Sequence, residues 1–156
     1  MTKENLMREA IRLASENVAN GGGPFGAVIA DKEGNIVATG VNRVTDSNDP
    51  TAHAEVSVIR AATAKLKTFN LEGYSIYSSC EPCPMCLGAI YWARLDKIYY
   101  GNSHVDAKHI GFDDSFIYDE IKLAPKQRQL PSEILLPEEA IVTFKAWQKK
   151  EDRIDY

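Results

Sequence analysis

Short apolar segments of strand length alternate with longer segments of helix length along residues 25–101, and this alternation constrains the fold more than any other feature of the sequence. A turn around Gly34 joins the first two short segments, which predicts a β-hairpin. The predicted order is strand 25–30, strand 36–41, helix 52–66, strand 74–79, helix 83–93 and strand 97–101. Such an order is typical of the α/β class and predicts a three-layer α/β/α sandwich.

The flanking segments extend this prediction to the whole chain. Apolar residues at helical spacing predict a first helix over 4–20, packed on the sheet. Towards the C-terminus, helices are predicted at 113–120 and 137–152, and a strand at 130–136 would make the sheet a mixed sheet of five strands. His104 and His109 are interpreted as residues of a solvated loop. No linker divides the sequence, which predicts a single domain over residues 1–156.

Length and charge exclude several classes of partner. The chain has 156 residues of which 44% are apolar, enough for one compact core. It has no apolar run of about 18 residues and no hydrophobic signal sequence, which predicts a cytoplasmic protein that does not bind membranes. Its 18 basic and 22 acidic residues give a net charge of −4, with no basic tail. A nucleic-acid partner is therefore disfavoured.

The three cysteines are grouped at positions 80, 83 and 86, which indicates metal or redox chemistry rather than a disulfide scaffold. Cys83 and Cys86, taken alone, also fit a redox dithiol at a helix start. Cys80 suggests an iron-sulfur cluster by its spacing, but the next position of that pattern is Ile90. Cys80 is therefore interpreted as a small buried side chain at the end of a strand.

His53 lies 30 residues before Cys83 and favours a metal site. In parallel βαβ units each helix begins at the carboxyl edge of the sheet, so His53 is expected to meet both thiols there. One imidazole and two thiolates provide three zinc ligands and leave a fourth position for water. Glu55 is expected to reach the same place from the first helical turn and to carry protons rather than bind the metal. This pattern, H-x-E followed by P-C-x-x-C, is the zinc deaminase signature.

The sequence resembles the cytidine deaminase superfamily, and within it the small bacterial guanine deaminases. The resemblance rests on residues 23–28, 42, 49–55, 79–86, 111–118 and 156. It implies a cytidine deaminase-like fold and zinc-dependent hydrolysis of guanine to xanthine and ammonia. The zinc motif is shared by every branch of the superfamily, whereas residues 111–118 and the terminal tyrosine favour guanine.

The resemblance also implies how a purine base is held. It implies the zinc ligands and proton carrier already identified, and it places Asn42 and the backbone of Ala54 against the purine. Asp114 would face the polar edge of the base. Trp92 and Phe112 are by default core residues that could line the pocket.

The same resemblance implies a homodimer that exchanges its C-terminal segments, residues 121–156. Tyr156 of one subunit would then cover the base bound by the other. The partners expected for the chain are therefore a small purine base and a second copy of itself.

Other functions stay open, and deamination of cytosine, a nucleoside or a pterin is a lesser alternative within the same superfamily. The tRNA adenosine deaminases share the zinc motif, but they need a basic surface for RNA, and this chain is acidic. A binding module with a purely structural zinc ion is weakened because only three protein ligands are apparent, with a carboxylate beside them.

Overall fold

The computed structural model describes all 156 residues, and its centre is a sheet of four strands in the order β2-β1-β3-β4. In chain order the elements are α1 (Lys3–Ala19), β1 (Gly26–Ala30), β2 (Ile36–Val41), α2 (Val44–Ser47), α3 (Ala54–Leu66), β3 (Ser75–Cys80), α4 (Pro84–Trp92), β4 (Lys97–Asn102), α5 (His104–His109), α6 (Ser115–Lys122), a 3-10 turn (Pro125–Gln127) and α7 (Pro137–Lys149). None of these helices has the length and apolar character needed to cross a lipid bilayer.

The sheet is mixed. Strand β1 pairs antiparallel with both β2 and β3, and β3 pairs parallel with β4. Consequently β2, β3 and β4 all run in the same direction, and their carboxyl ends lie at one edge. Helix α3 comes after β2 and the short α2, α4 comes directly after β3, and both begin near that edge.

Alternate residues of β1 face two different helical layers, as the period of a strand requires. The first core contains Ala27 and Ile29 of β1 together with Val58 of α3 and Ile90 of α4. The second core contains Val28 and Ala30 of β1 together with Leu6 and Ala10 of α1. The α/β/α layering expected from the sequence is therefore confirmed.

The prediction of a fifth strand is wrong, since the sheet has four strands and residues 130–136 form none. A strand is stable only when its backbone groups pair with a neighbour, and Pro131 removes one donor from this segment. Leu136 then adopts a left-handed conformation, with φ of 52°, directly before α7. An apolar run in the sequence does not show whether a segment pairs as a strand or stays outside the sheet.

Two helical segments also differ from expectation. Helix α3 begins at Ala54, two residues later than predicted, because the carboxylate of Asp49 accepts hydrogen bonds from the backbone N–H and the hydroxyl of Thr51, at 2.9 and 2.7 Å. This turn leaves His53 just before the helix. The interpretation of His104 and His109 as loop residues is wrong, since they are the first and last residues of α5, which begins with a capping box formed by Ser103 and Asp106.

The chain forms two compact units, residues 1–115 and 116–156. No residue of the second unit is buried. Its apolar side chains include Leu130, Ile134 and Leu135, which are 81%, 82% and 78% exposed. The second unit therefore has no hydrophobic core of its own in the single chain.

Gly40 on β2 allows α3 to lie directly on the sheet. A Cβ atom at this position would be 2.6 Å from the carbonyl oxygen of Ala54 and 2.6 Å from the backbone nitrogen of Val58. We expect Gly40→Ala to lower the free energy of unfolding by about 1–3 kcal/mol, as overpacking does, measured by urea denaturation. Gly88→Ala is the control, because nothing lies within 4 Å of its added Cβ. Equal stability of Gly40→Ala and wild type would contradict the close approach.

Candidate active site

His53 and Cys83 occupy equivalent places, each being the last non-helical residue before a helix. Both have extended backbone conformations, with φ and ψ of −67° and 160° for His53 and of −66° and 169° for Cys83. Cys86 follows one turn into α4 and is buried. The two helix starts thus bring one imidazole and two thiols together at the carboxyl edge of the sheet, as the sequence predicts.

The distances between these three side chains fit a zinc ion. Nδ1 of His53 lies 3.5 Å from the Sγ atoms of both Cys83 and Cys86, and the potential ligand atoms of this group all lie within 4.8 Å of one another. A tetrahedral ion with zinc–sulfur bonds of about 2.3 Å and a zinc–nitrogen bond of about 2.0 Å requires a sulfur–nitrogen separation of about 3.5 Å. His53, Cys83 and Cys86 therefore match a three-ligand zinc site.

The charges at this group favour a thiolate. A hydrogen bond from the Cys86 thiol, together with one from His53, lowers the pKa of Cys83 to about 4. Conversely, the Cys83 thiolate raises the pKa of Cys86 and also that of His53. The start of α4 adds the positive end of a helix dipole to the same place. These effects all favour a thiolate at Cys83.

Glu55 is a buried carboxyl group beside this cluster but not a member of it. Its side chain is only 5% exposed, and the hydroxyl of Ser78 donates to its Oε1 at 2.9 Å. Burial raises the pKa of Glu55, while the hydrogen bond from Ser78 opposes that effect. A carboxyl group with a raised pKa takes up a proton readily, so the environment suits a proton carrier.

Ser78 and Ser79 support the site from β3, and the sequence analysis did not identify them. Both are buried near the end of β3, and the hydroxyl of Ser79 accepts a hydrogen bond from the backbone N–H of Gly26 at 3.0 Å. Two adjacent serines in a buried strand are the signal that could have identified them, because buried hydroxyls need partners.

Asn42 follows β2 and is held by its backbone. Its N–H donates to the carbonyl of Phe25 at 3.1 Å, and its carbonyl accepts from the side chain of Asn17 at 2.9 Å. Its Oδ1 accepts from the backbone N–H of Val44 at 3.2 Å. The amide nitrogen of the side chain has no partner in the chain, so it can donate to a bound molecule.

Asp114 has a buried oxygen atom, Oδ1, without a hydrogen-bond partner. Burial raises the pKa of Asp114, and the carboxyl group is near enough to raise the pKa of His53 and of Cys80. An unpaired buried acceptor is costly and indicates a missing donor. Asp114 and the cluster of His53, Cys83 and Cys86 therefore belong to the same site.

Trp92 and Phe112 are 65% and 45% exposed, so the default interpretation of both as core residues is wrong. The ring of Phe112 packs edge-on against Phe25, with centroids 5.0 Å apart. Trp92 lies at the opposite end of α4 from Cys83, about 13 Å away along the helix axis. Within one chain, Trp92 is therefore distant from the zinc ligands. Tyr156 lies in the second unit and is 72% exposed.

Cys80 stands apart from the zinc ligands, as the sequence suggests. It is buried, and burial raises the pKa of its thiol to about 11, so the thiol stays protonated. The group of side chains able to hold a metal contains His53, Cys83 and Cys86 but not Cys80. This arrangement favours the zinc interpretation over the iron-sulfur cluster.

Comparison with known proteins agrees with this geometry. Residues 1–102 match the family model described as the cytidine and deoxycytidylate deaminase zinc-binding region. A guanine deaminase of Bacillus subtilis is 49% identical over the full length of both chains. The X-ray structure of guanine deaminase from Bacillus subtilis has a TM-score of 0.96 and 48% identity, covering 100% of this chain and 99% of the other. A tRNA-specific adenosine deaminase of Aquifex aeolicus is 40% identical over 77% of this chain and 78% of its own.

Zinc content distinguishes a ligand from the proton carrier. We expect Glu55→Gln to bind zinc like the wild type, because the amide keeps the shape of the side chain and no ligand is lost. Cys83→Ser should lose the metal and with it thermal stability, since metal binding is coupled to folding. Atomic absorption and thermal denaturation of the purified proteins measure both effects. Loss of zinc from Glu55→Gln would place that residue among the ligands instead.

Proposed function

The chain belongs to the family of cytidine and deoxycytidylate deaminases that this zinc-binding region defines, and we propose that it hydrolyses guanine to xanthine and ammonia. The observation that favours guanine as the substrate is the buried, unpaired Oδ1 of Asp114. Guanine offers donors on adjacent atoms, the N1–H and the 2-amino group, whereas adenine has an acceptor at N1. The full-length similarity to a guanine deaminase supports the same choice.

His53, Cys83 and Cys86 are the residues that would hold zinc. When bound, zinc lowers the pKa of a water molecule at its fourth position to about 7 and so supplies a hydroxide nucleophile. This role accounts for a site with three protein ligands rather than four.

Glu55 moves the protons of the reaction. It takes the proton of the nucleophile and passes it to ring N3 of guanine as C2 is attacked. It then takes the remaining proton from the hydroxyl group added at C2 and supplies it to the amino group on C2. The bond from C2 to this nitrogen breaks and ammonia leaves, while the C2 carbonyl of xanthine forms. The raised pKa that burial gives Glu55 suits both steps, because the group must hold a proton between them.

Three groups would orient the base around this proton carrier. The side-chain nitrogen of Asn42 and the backbone N–H of Ala54, in the first turn of α3, can donate to purine acceptors such as O6 and N7. Asp114 accepts from the opposite, donor-bearing edge. Phe112, supported by Phe25, supplies an apolar wall.

We further propose that the chain forms a homodimer that exchanges residues 121–156. The exposed apolar side chains of the second unit support this proposal, since a segment without a core gains stability by packing on another surface. Tyr156 would then close the pocket of the partner and keep bulk water from the base. Trp92 as a pocket residue and a cytoplasmic location both stay predictions of the sequence.

A panel of substrates tests the reaction. We expect ammonia release from guanine by the wild type, at rates far above those with adenine, cytosine, nucleosides or tRNA, and no release by Glu55→Gln. Asp114→Asn should lose most of the kcat/KM for guanine. Its matched control is Asp113→Asn, because Oδ1 of Asp113 accepts a hydrogen bond from the backbone N–H of Ser115, the first residue of α6, and an amide oxygen can accept the same bond. Deamination of adenosine in tRNA without action on guanine would instead favour the tRNA adenosine deaminases.

Removal of residues 153–156 tests the exchanged segment. We expect the truncated chain to keep its zinc and its fold but to lose guanine turnover, because the base is no longer shielded. Mixing it with Glu55→Ala chains should restore part of the activity, since a mixed dimer pairs one intact Glu55 with one donated Tyr156. Full activity of the truncated chain, or an active monomer at assay dilution, would contradict the exchange.

A further inference from the structure

Glu81 lies in the link between β3 and α4, and its side chain contacts the start of α5. The backbone N–H of Glu81 donates to the carbonyl of Asn102 at 2.7 Å, which extends the pairing of β3 with β4. Its Oε2 accepts two hydrogen bonds from His104, one from the backbone N–H at 2.9 Å and one from ring Nδ1 at 2.6 Å. One carboxylate oxygen therefore joins the link that precedes Cys83 to the first residue of α5.

Helix α5 has its own cap and does not need this contact to form. The hydroxyl of Ser103 accepts from the backbone N–H of Asp106 at 3.2 Å, and Oδ2 of Asp106 accepts from the backbone N–H of Ser103 at 2.8 Å. The side chains of Glu81 and His104 are also 27% and 44% exposed. An ion pair with such exposure contributes about 0–1 kcal/mol to stability. The contact of Glu81 with His104 is thus better explained by where it holds α5 than by stabilisation of the fold.

The segment that follows α5 carries two of the proposed substrate residues. The backbone N–H of Phe112 donates to the carbonyl of Ala107 at 3.0 Å, across a turn in which Gly111 has a φ of +98°. Ala107 is buried, so this turn is fixed on α5. A displacement of α5 would therefore also displace Phe112 and Asp114.

Asp114 lies within electrostatic range of the same pair. Burial is the main cause that raises the pKa of Asp114, while His104 lowers it and Glu81 raises it. The two charges of the pair thus act in opposite directions on the pKa of Asp114.

We propose that Glu81 and His104 are positioning residues that hold α5, and with it Phe112 and Asp114, at a fixed place relative to the zinc-ligand link. The inference rests on the proposed deamination of guanine. It assigns neither residue a contact with zinc or with the base. Its consequence is that the pair controls binding of the purine rather than binding of the metal.

Three substitutions of His104 distinguish the position of its hydrogen-bond donor from the charge and the size of its side chain. In His104→Asn the amide nitrogen takes nearly the place of ring Nδ1 and can still donate to Glu81, but the charge is lost. In His104→Gln the donor lies one bond further out, and in His104→Ala it is absent. His109→Ala is the matched control, since His109 lies on the same helix outside the pair.

We expect His104→Ala and His104→Gln to raise the KM for guanine and the inhibition constant of xanthine about tenfold, as loss of a supporting hydrogen bond does. The kcat should change less, and zinc content should stay at the wild-type level. Amide hydrogen exchange over residues 103–114 should become faster in the same two variants. His104→Asn and His109→Ala should resemble the wild type in every measurement.

Several results would overturn the positioning role. An unchanged KM in His104→Ala, or an equal rise in His109→Ala, would remove the link between α5 and substrate binding. Loss of zinc from His104→Ala would assign the pair to the metal site. Failure of His104→Asn to restore the KM would show that charge matters instead. If the wild type releases no ammonia from guanine, the proposed function fails, while hydrogen exchange still reports whether His104 holds residues 103–114.

Discussion

The common direction of β2, β3 and β4 determines where the chemistry of this protein lies. Because these strands end at one edge, α3 and α4 begin there, and the residues just before these two helices meet. This arrangement places Nδ1 of His53 3.5 Å from Sγ of Cys83, although the two residues are 30 positions apart in the chain. Reversal of either strand would move one ligand to the opposite edge of the sheet.

The same edge also holds a costly set of buried polar groups. A buried carboxyl at Glu55, an unpaired oxygen at Asp114 and two closely spaced thiols oppose folding unless partners offset them. Ser78 supplies one such partner to Glu55, and a metal ion fits the thiols. The hydrophobic core on each face of the sheet offsets the free-energy cost of burying these polar groups.

The sequence predicted the parts of the site that depend on local pattern. The ligand set of His53, Cys83 and Cys86 follows from short motifs at helix starts, and the strands follow from apolar periodicity. Ser78 was not predicted, because its contact with Glu55 joins residues that are distant in sequence and carry no motif. The contact of Glu81 with His104 was missed for the same reason. The strand at 130–136 was predicted wrongly because an apolar run does not reveal whether a pairing partner exists.

The hydrogen bond from Ser78 to Oε1 of Glu55 has a stereochemical consequence. This bond fixes the carboxyl group on one side of the site. In the proposed reaction the same carboxyl group would serve both the addition of water and the departure of ammonia. Both events would then occur on the same face of the purine ring, and the base would not need to turn over within the pocket between them.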